Sequence, residues 1–159
     1  MKKIYIAGFD VFKPDSIEIG KAHKLTCKEY GYEGLYPLDN EIDTSWSKEV
    51  AREFIYTKNI ELIHQADIVI ANANPFRGDE LDSGTAFEIG YAKALNKQVI
   101  LYMDDTRAYK EKLTCKKTES VDEQGMFIED FNFPLNLMFS DCFIVQGGFE
   151  EALKTLDDK

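Results

Sequence analysis

Asp67-Ile68-Val69-Ile70-Ala71 decides how the rest of the chain is read. Three consecutive β-branched residues without polar alternation do not suit a sheet with one wet face. They suit a strand covered on both faces, as in parallel sheets. Upstream, residues 48–65 carry Val50, Ala51, Phe54, Ile55, Leu62 and Ile63 at largely helical spacing. Downstream come a loop with Pro75 and Gly78 over 72–82, a helix over 83–95 that Asn96 can stop, and an apolar strand over 99–102. Further out, residues 4–7 read as a buried first strand ending at Gly8. A first helix follows to about residue 30, with Asp15 or Ser16 as cap, Glu18 reaching back and Gly31 as terminator. Residues 35–37 read as a short second strand, 143–145 as a fifth, and 149–156 as a closing helix. The stretch 104–130 is charged and poorly patterned, with room for one short helix near 109–113. Strands alternating with helices five times predict one domain over 1–159. Its class is α/β, a doubly wound five-stranded parallel sheet of flavodoxin-like or Rossmann-like type.

Composition narrows the partners. The chain has 159 residues, 44% hydrophobic and 30% charged, enough to build a core. A net charge of −10 repels phosphate backbones and anionic lipid, so nucleic acid and membranes are poor partners while a small neutral ligand is not excluded. No apolar run approaches the ~20 residues of a membrane span. The apolar N-terminal stretch is too short for a signal-peptide core, so a cytoplasmic location is expected. Cys27, Cys115 and Cys142 are odd in number and scattered, which suggests neither a disulfide framework nor a zinc site. His23 and His64 give no metal pair, and neither metal nor cofactor is implied.

In open α/β sheets, ligands bind beyond the carboxyl ends of the strands. That rule points to residues 8–12, 38–41 and 72–88. The last of these holds Asp82-Ser83-Gly84-Thr85-Ala86-Phe87-Glu88. Asp82 or Ser83 can cap the helix, and Gly84 lets a ligand approach the backbone. Glu88 lies about one and a half turns in, where the positive helix terminus favours an ionised carboxylate. Such a carboxylate beside a sugar stabilises an oxocarbenium-like transition state, and a second carboxyl can protonate the leaving group. On pattern alone, however, a helical glutamate is most often a solvated charge and an aspartate at a helix start only a cap.

Tyr5, Pro37-Leu38-Asp39-Asn40, Asp82-x-Gly84, Glu88-x-Gly90-Tyr91-Ala92 and Pro134-x-Asn136-Leu137-Met138, taken in order, resemble the nucleoside 2-deoxyribosyltransferase family. Pro75-Phe76-Arg77-Gly78 resembles one branch of it. The resemblance implies an enzyme that moves 2-deoxyribose between nucleobases, with Glu88 as nucleophile at C1′, a covalent deoxyribosyl intermediate and retention of configuration. It implies that Tyr5 holds Glu88 through its hydroxyl, and that Asp82 contacts the base and handles its proton. Asn59 stands where some members have an aspartate, so here it can hydrogen-bond a base but not titrate. Asn136 would reach into a neighbouring subunit's pocket and bind the sugar 5′-hydroxyl, with Met138 nearby, which requires a homo-oligomer with shared sites. Phe9 and Phe12 would lie against the base, and Asp39 and Asn40 in the pocket wall. Nucleosides and nucleobases are the expected small-molecule partners.

Two other classes stay open. Deoxynucleoside 5′-monophosphate N-hydrolases share the fold and the glutamate, with water as acceptor. Gly84-Thr85-Ala86-Phe87-Glu88 also fits the helix of phosphoribohydrolases, although their paired glycines are missing. A non-catalytic nucleotide-sensing or receiver-like domain is the other class. A receiver needs an acidic pair after strand one, but Asp10 stands alone, and strand three ends in Ala71-Asn72.

Overall fold

The computed structural model describes residues 1–40, 42–113 and 120–156. Glu41 and Cys115, and with them part of the 104–130 stretch, lie outside the described residues. Strands β1 (Lys3–Ala7), β2 (Glu33–Leu35), β3 (Ile68–Asn72), β4 (Gln98–Met103) and β5 (Phe143–Gln146) alternate with helices. These are α1 (Ser16–Glu29), α2 (Lys48–Gln65), α3 (Ser83–Ala94), α4 (Tyr109–Lys112) and α5 (Phe149–Lys154). All strands pair in parallel in the order β2-β1-β3-β4-β5. This is a flavodoxin-like α/β sheet. Chain order reverses beside β1, so a crevice opens beyond the carboxyl ends of β1 and β3.

Successive strand residues face opposite sides of the sheet, and that parity divides the core. Tyr5, Val69, Ala71, Val99 and Leu101 pack with Ile63 of α2 and with Ile89 and Ala92 of α3. Ile4, Ile6, Ile68, Ile70 and Ile100 pack with Cys27 of α1 and with Phe149, Ala152 and Leu153 of α5. Every residue of β3 is buried, as its unbroken apolar sequence requires. Tyr5 is thereby committed to the α3 side before any chemistry is considered.

The helix ends show which local signals prevail. Gly31 takes φ +79°, and Tyr32 N–H and Gly31 N–H bond back to Cys27 O and Lys28 O, closing a glycine-terminated helix. Asn96 does the same for α3 at φ +57°. The expected side-chain cap of α1 is absent. Asp15 sits at the cap position with φ −99° and ψ 23°, not the extended conformation that aims a carboxylate at the first turn. The second strand also lies earlier than its apolar residues suggest. Pro37 has no N–H for a ladder and instead opens a 3₁₀ turn, Pro37–Asp39, so β2 is confined to Glu33–Leu35. The 104–130 stretch does hold a short helix, α4, and an antiparallel bridge between Val121 and Phe127.

Beyond β1 the chain makes a 3₁₀ turn, Phe9–Phe12. It is pinned from below by Asp10, only 5% exposed, which accepts from Asn72 Nδ2 at 2.8 Å and pairs with Lys13 Nζ at 2.6 Å. Gly8 takes φ +149°, and a Cβ there would lie 2.7 Å from the Cβ of Asn72, so the ends of β1 and β3 are in direct contact.

Candidate active site

A cavity of about 280 Å³ opens at this crevice, near the lower end of the about 300–1,000 Å³ usual for small-molecule sites. Gly8, Val11 and Phe12 come from the turn after β1. Pro37, Leu38, Asn40 and Ile42 come from the segment after β2, and Ile55 and Asn59 from α2. Asp82, Gly84, Thr85 and Glu88 come from the start of α3. The wall is therefore mostly apolar, with a few polar groups on two helices.

Tyr5, fully buried, donates its hydroxyl to Glu88 Oε1 at 2.6 Å. Sheet parity aims Tyr5 at α3, and Glu88 lies on the helix face that meets it. Burial drives the Tyr5 phenol well above its usual range, and the Glu88 charge adds to that, so Tyr5 stays a donor. Glu88 itself is pushed up to about 7. Burial is the main cause, the Tyr5 hydrogen bond opposes it, and the Asp82 charge raises it further. The helix terminus was expected to favour an ionised Glu88, and burial outweighs it. A terminal dipole contributes about 0.3–1 kcal/mol, less than the desolvation of a half-buried carboxylate.

Asp82 is the cap of α3. Its Oδ2 accepts from Thr85 N–H at 2.9 Å and from Thr85 Oγ1 at 3.0 Å. A Cβ on Gly84 would lie 3.1 Å from that oxygen, so glycine keeps the cap and the pocket floor open. Asn59 of α2 also lines the cavity, and its Oδ1 is buried without a hydrogen-bond partner. An orphaned buried acceptor costs free energy.

The cavity thus collects Glu88, Asp82, Asn59, Gly84 and Phe12, with Tyr5 behind Glu88. Four other expected residues lie elsewhere. Asp39 does not line the cavity. It accepts from Tyr36 N–H at 3.0 Å and pairs with Lys24, so its carboxylate serves the turn. The neighbouring Pro37, Leu38 and Asn40 form the wall instead. Phe9 stacks on Phe76 rather than on the cavity. Asn136 caps the 3₁₀ turn Leu137–Phe139, accepting from Met138 N–H at 3.0 Å and donating to Glu129 at 2.7 Å. Met138 is 77% exposed. Sequence reasoning misses Ile42 and Ile55, and it gives no role to Val11 and Thr85 within the segments it pointed to. Ile55 carries a signal, being apolar within α2, but periodicity does not separate a core position from a pocket wall. Among the described residues, no three His, Cys, Asp or Glu side chains are grouped as a metal site, and no helix is long and apolar enough to cross a membrane.

Residues 4–138 match the family described as nucleoside 2-deoxyribosyltransferase. The chain belongs to that family. A solved 2-deoxyribosyltransferase from Leishmania mexicana is 36% identical, with a TM-score of 0.82, covering 99% of this chain and 98% of that one. A 2-deoxyribosyltransferase from Bacillus psychrosaccharolyticus is 20% identical over 99% of this chain and 91% of its own, with a TM-score of 0.61, a likeness of fold. An uncharacterized protein of Schizosaccharomyces pombe is 26% identical, covering 96% of this chain and 85% of that protein. Membership makes the chain an enzyme of transfer at N-glycosidic bonds.

Proposed function

We propose that this chain exchanges nucleobases on 2-deoxyribose through a covalent deoxyribosyl ester on Glu88. The observation that carries the reading is the buried Tyr5–Glu88 hydrogen bond, with Glu88 on the wall of a cavity that Asp82 and Asn59 also line. The ionised Glu88 oxygen attacks C1′. The C1′–N bond breaks, its electron pair leaves with the base, and that base takes a proton which Asp82 conveys. A second base attacks C1′ through a ring nitrogen, the ester bond breaks back to the carboxylate, and the incoming nitrogen loses its proton to Asp82. Because configuration inverts twice, it is retained. Asn59, on the cavity wall, hydrogen-bonds the edge of the base and does not titrate. Phe12 offers a ring to a planar heterocycle. Asn136 and Met138, placed away from the cavity of their own chain, serve the sugar end of a neighbouring copy's site.

The test is chromatography of purified protein with deoxyinosine and free adenine, beside a Glu88→Ala variant. Wild type is expected to form deoxyadenosine and the variant none. After a quench with deoxyinosine alone, intact mass is expected to show one deoxyribosyl group on wild type only. Hypoxanthine release without deoxyadenosine would identify water as the acceptor and overturn the transfer reading.

A further inference from the structure

The loop after β3 makes a contact that the proposed chemistry does not use. Phe76 stacks on both Phe9 and Phe12, with centroids 5.1 and 5.2 Å apart and rings within 12° and 11° of parallel. The Arg77 guanidinium lies over two of these rings, 4.6 Å from the Phe76 centroid and 5.4 Å from that of Phe12. Phe76 does not line the cavity, whereas Phe12 does, at its rim and 57% exposed. An aromatic side chain on a surface turn samples several rotamers unless something holds it. The loop that holds Phe12 is itself constrained. Phe76 N–H bonds to Glu80 O at 2.7 Å, and Arg77 at φ +53° with Gly78 at φ +144° reverses the chain between them. A non-glycine residue in the left-handed region is held there by its surroundings, and the stacked guanidinium supplies part of that hold. Glu80 in turn accepts the Tyr109 hydroxyl, tying the loop to α4.

We propose that Phe76 is a positioning residue for base recognition: it fixes the Phe12 ring at the cavity rim, pre-orienting the surface on which a nucleobase stacks. The inference rests on the reading that Phe12 faces the base. A wall already in place spares the ligand the cost of ordering it, so loss of Phe76 weakens base affinity and leaves bond breaking at Glu88 intact.

The experiment measures adenine affinity by calorimetry, and acceptor KM and kcat by the exchange assay. It uses Phe76→Ala, Phe12→Ala, the double variant and Phe76→Tyr. Phe76→Ala is expected to raise the adenine Kd and acceptor KM about three- to tenfold, with kcat changed less than about twofold. Phe76→Tyr is expected to restore both, and Phe76→Ala to add nothing once Phe12 is alanine, because one acts through the other. Additive effects of the two substitutions, an effect on kcat alone, or no effect of Phe76→Ala on adenine binding would each overturn the inference. If adenine binding behaves as expected but no deoxyadenosine forms, the transfer reading fails and the positioning role stands.

Discussion

Glu88→Gln separates what the site needs from what the fold prefers. The Glu88 carboxyl lies at about 7 in the folded protein against an ordinary 4.5. A carboxyl raised on folding binds a proton in the native state that the unfolded state has already released between these values. Stability is therefore full below pH 4.5 and falls as pH rises through about 7. At about 1.4 kcal/mol per pKa unit, the loss by pH 8 is roughly 3 kcal/mol, most of it between pH 5 and pH 8. The substituted amide keeps an oxygen for the Tyr5 hydroxyl and has no charge to desolvate. The assay is urea unfolding of both proteins at pH 5 and pH 8. Subtracting one protein from the other cancels every other titrating group to first order. The variant is expected to be more stable than wild type by about 2–3 kcal/mol at pH 8 and by less than about 1 kcal/mol at pH 5, while forming no deoxyadenosine. An equal stability difference at the two pH values would refute the argument that burial raises this carboxyl.

The same shift sets an acid limb. Exchange activity is expected to fall below about pH 7 as Glu88 takes up its proton, read from initial rates across pH. Tyr5→Phe removes the hydrogen bond that lowers the Glu88 pKa, so the limb is expected to move to higher pH and kcat to fall about ten- to a hundredfold. Asn59→Asp adds a third carboxyl to a cavity that holds Asp82 and Glu88, so the acid limb is again expected to move upward, with weaker adenine binding at pH 8 than at pH 5 by calorimetry. Away from the site, a Cβ on Gly20 would run into the Tyr36 ring, so Gly20→Ala is expected to cost about 1–3 kcal/mol in urea unfolding without changing the acid limb.

What the sequence made legible follows from the range over which each determinant acts. The β-branched run at 68–70 carries its own evidence of two-sided burial, and Gly31 and Asn96 end their helices through local backbone geometry. Tyr5 was linked to Glu88 only through the family resemblance; the α3 face it shares with Val69 and Ala71 is seen in the fold. The failures come where two local signals compete or where the outcome depends on contact across the sheet. Tyr36 looked like strand, yet the proline after it set the turn. Asp39 and Leu38 are adjacent, and the sequence favoured the polar one for the wall. The Lys24 partner that takes the Asp39 carboxylate sits on α1, out of sight of any local pattern. Glu88 shows the same limit in energetic form. Its helix position argues for an anion, and only the burial that the assembled fold imposes shows that the proton is held up to about pH 7. A carboxylate so placed lies near its ionisation point at neutral pH, close to the poise that the proposed attack on C1′ requires, basic enough to attack and still charged often enough to do so. The desolvation that lowers the stability of the fold is thus the same desolvation that raises the reactivity of the carboxylate. That shared origin is why a single isosteric substitution is expected to abolish exchange and strengthen the fold at once.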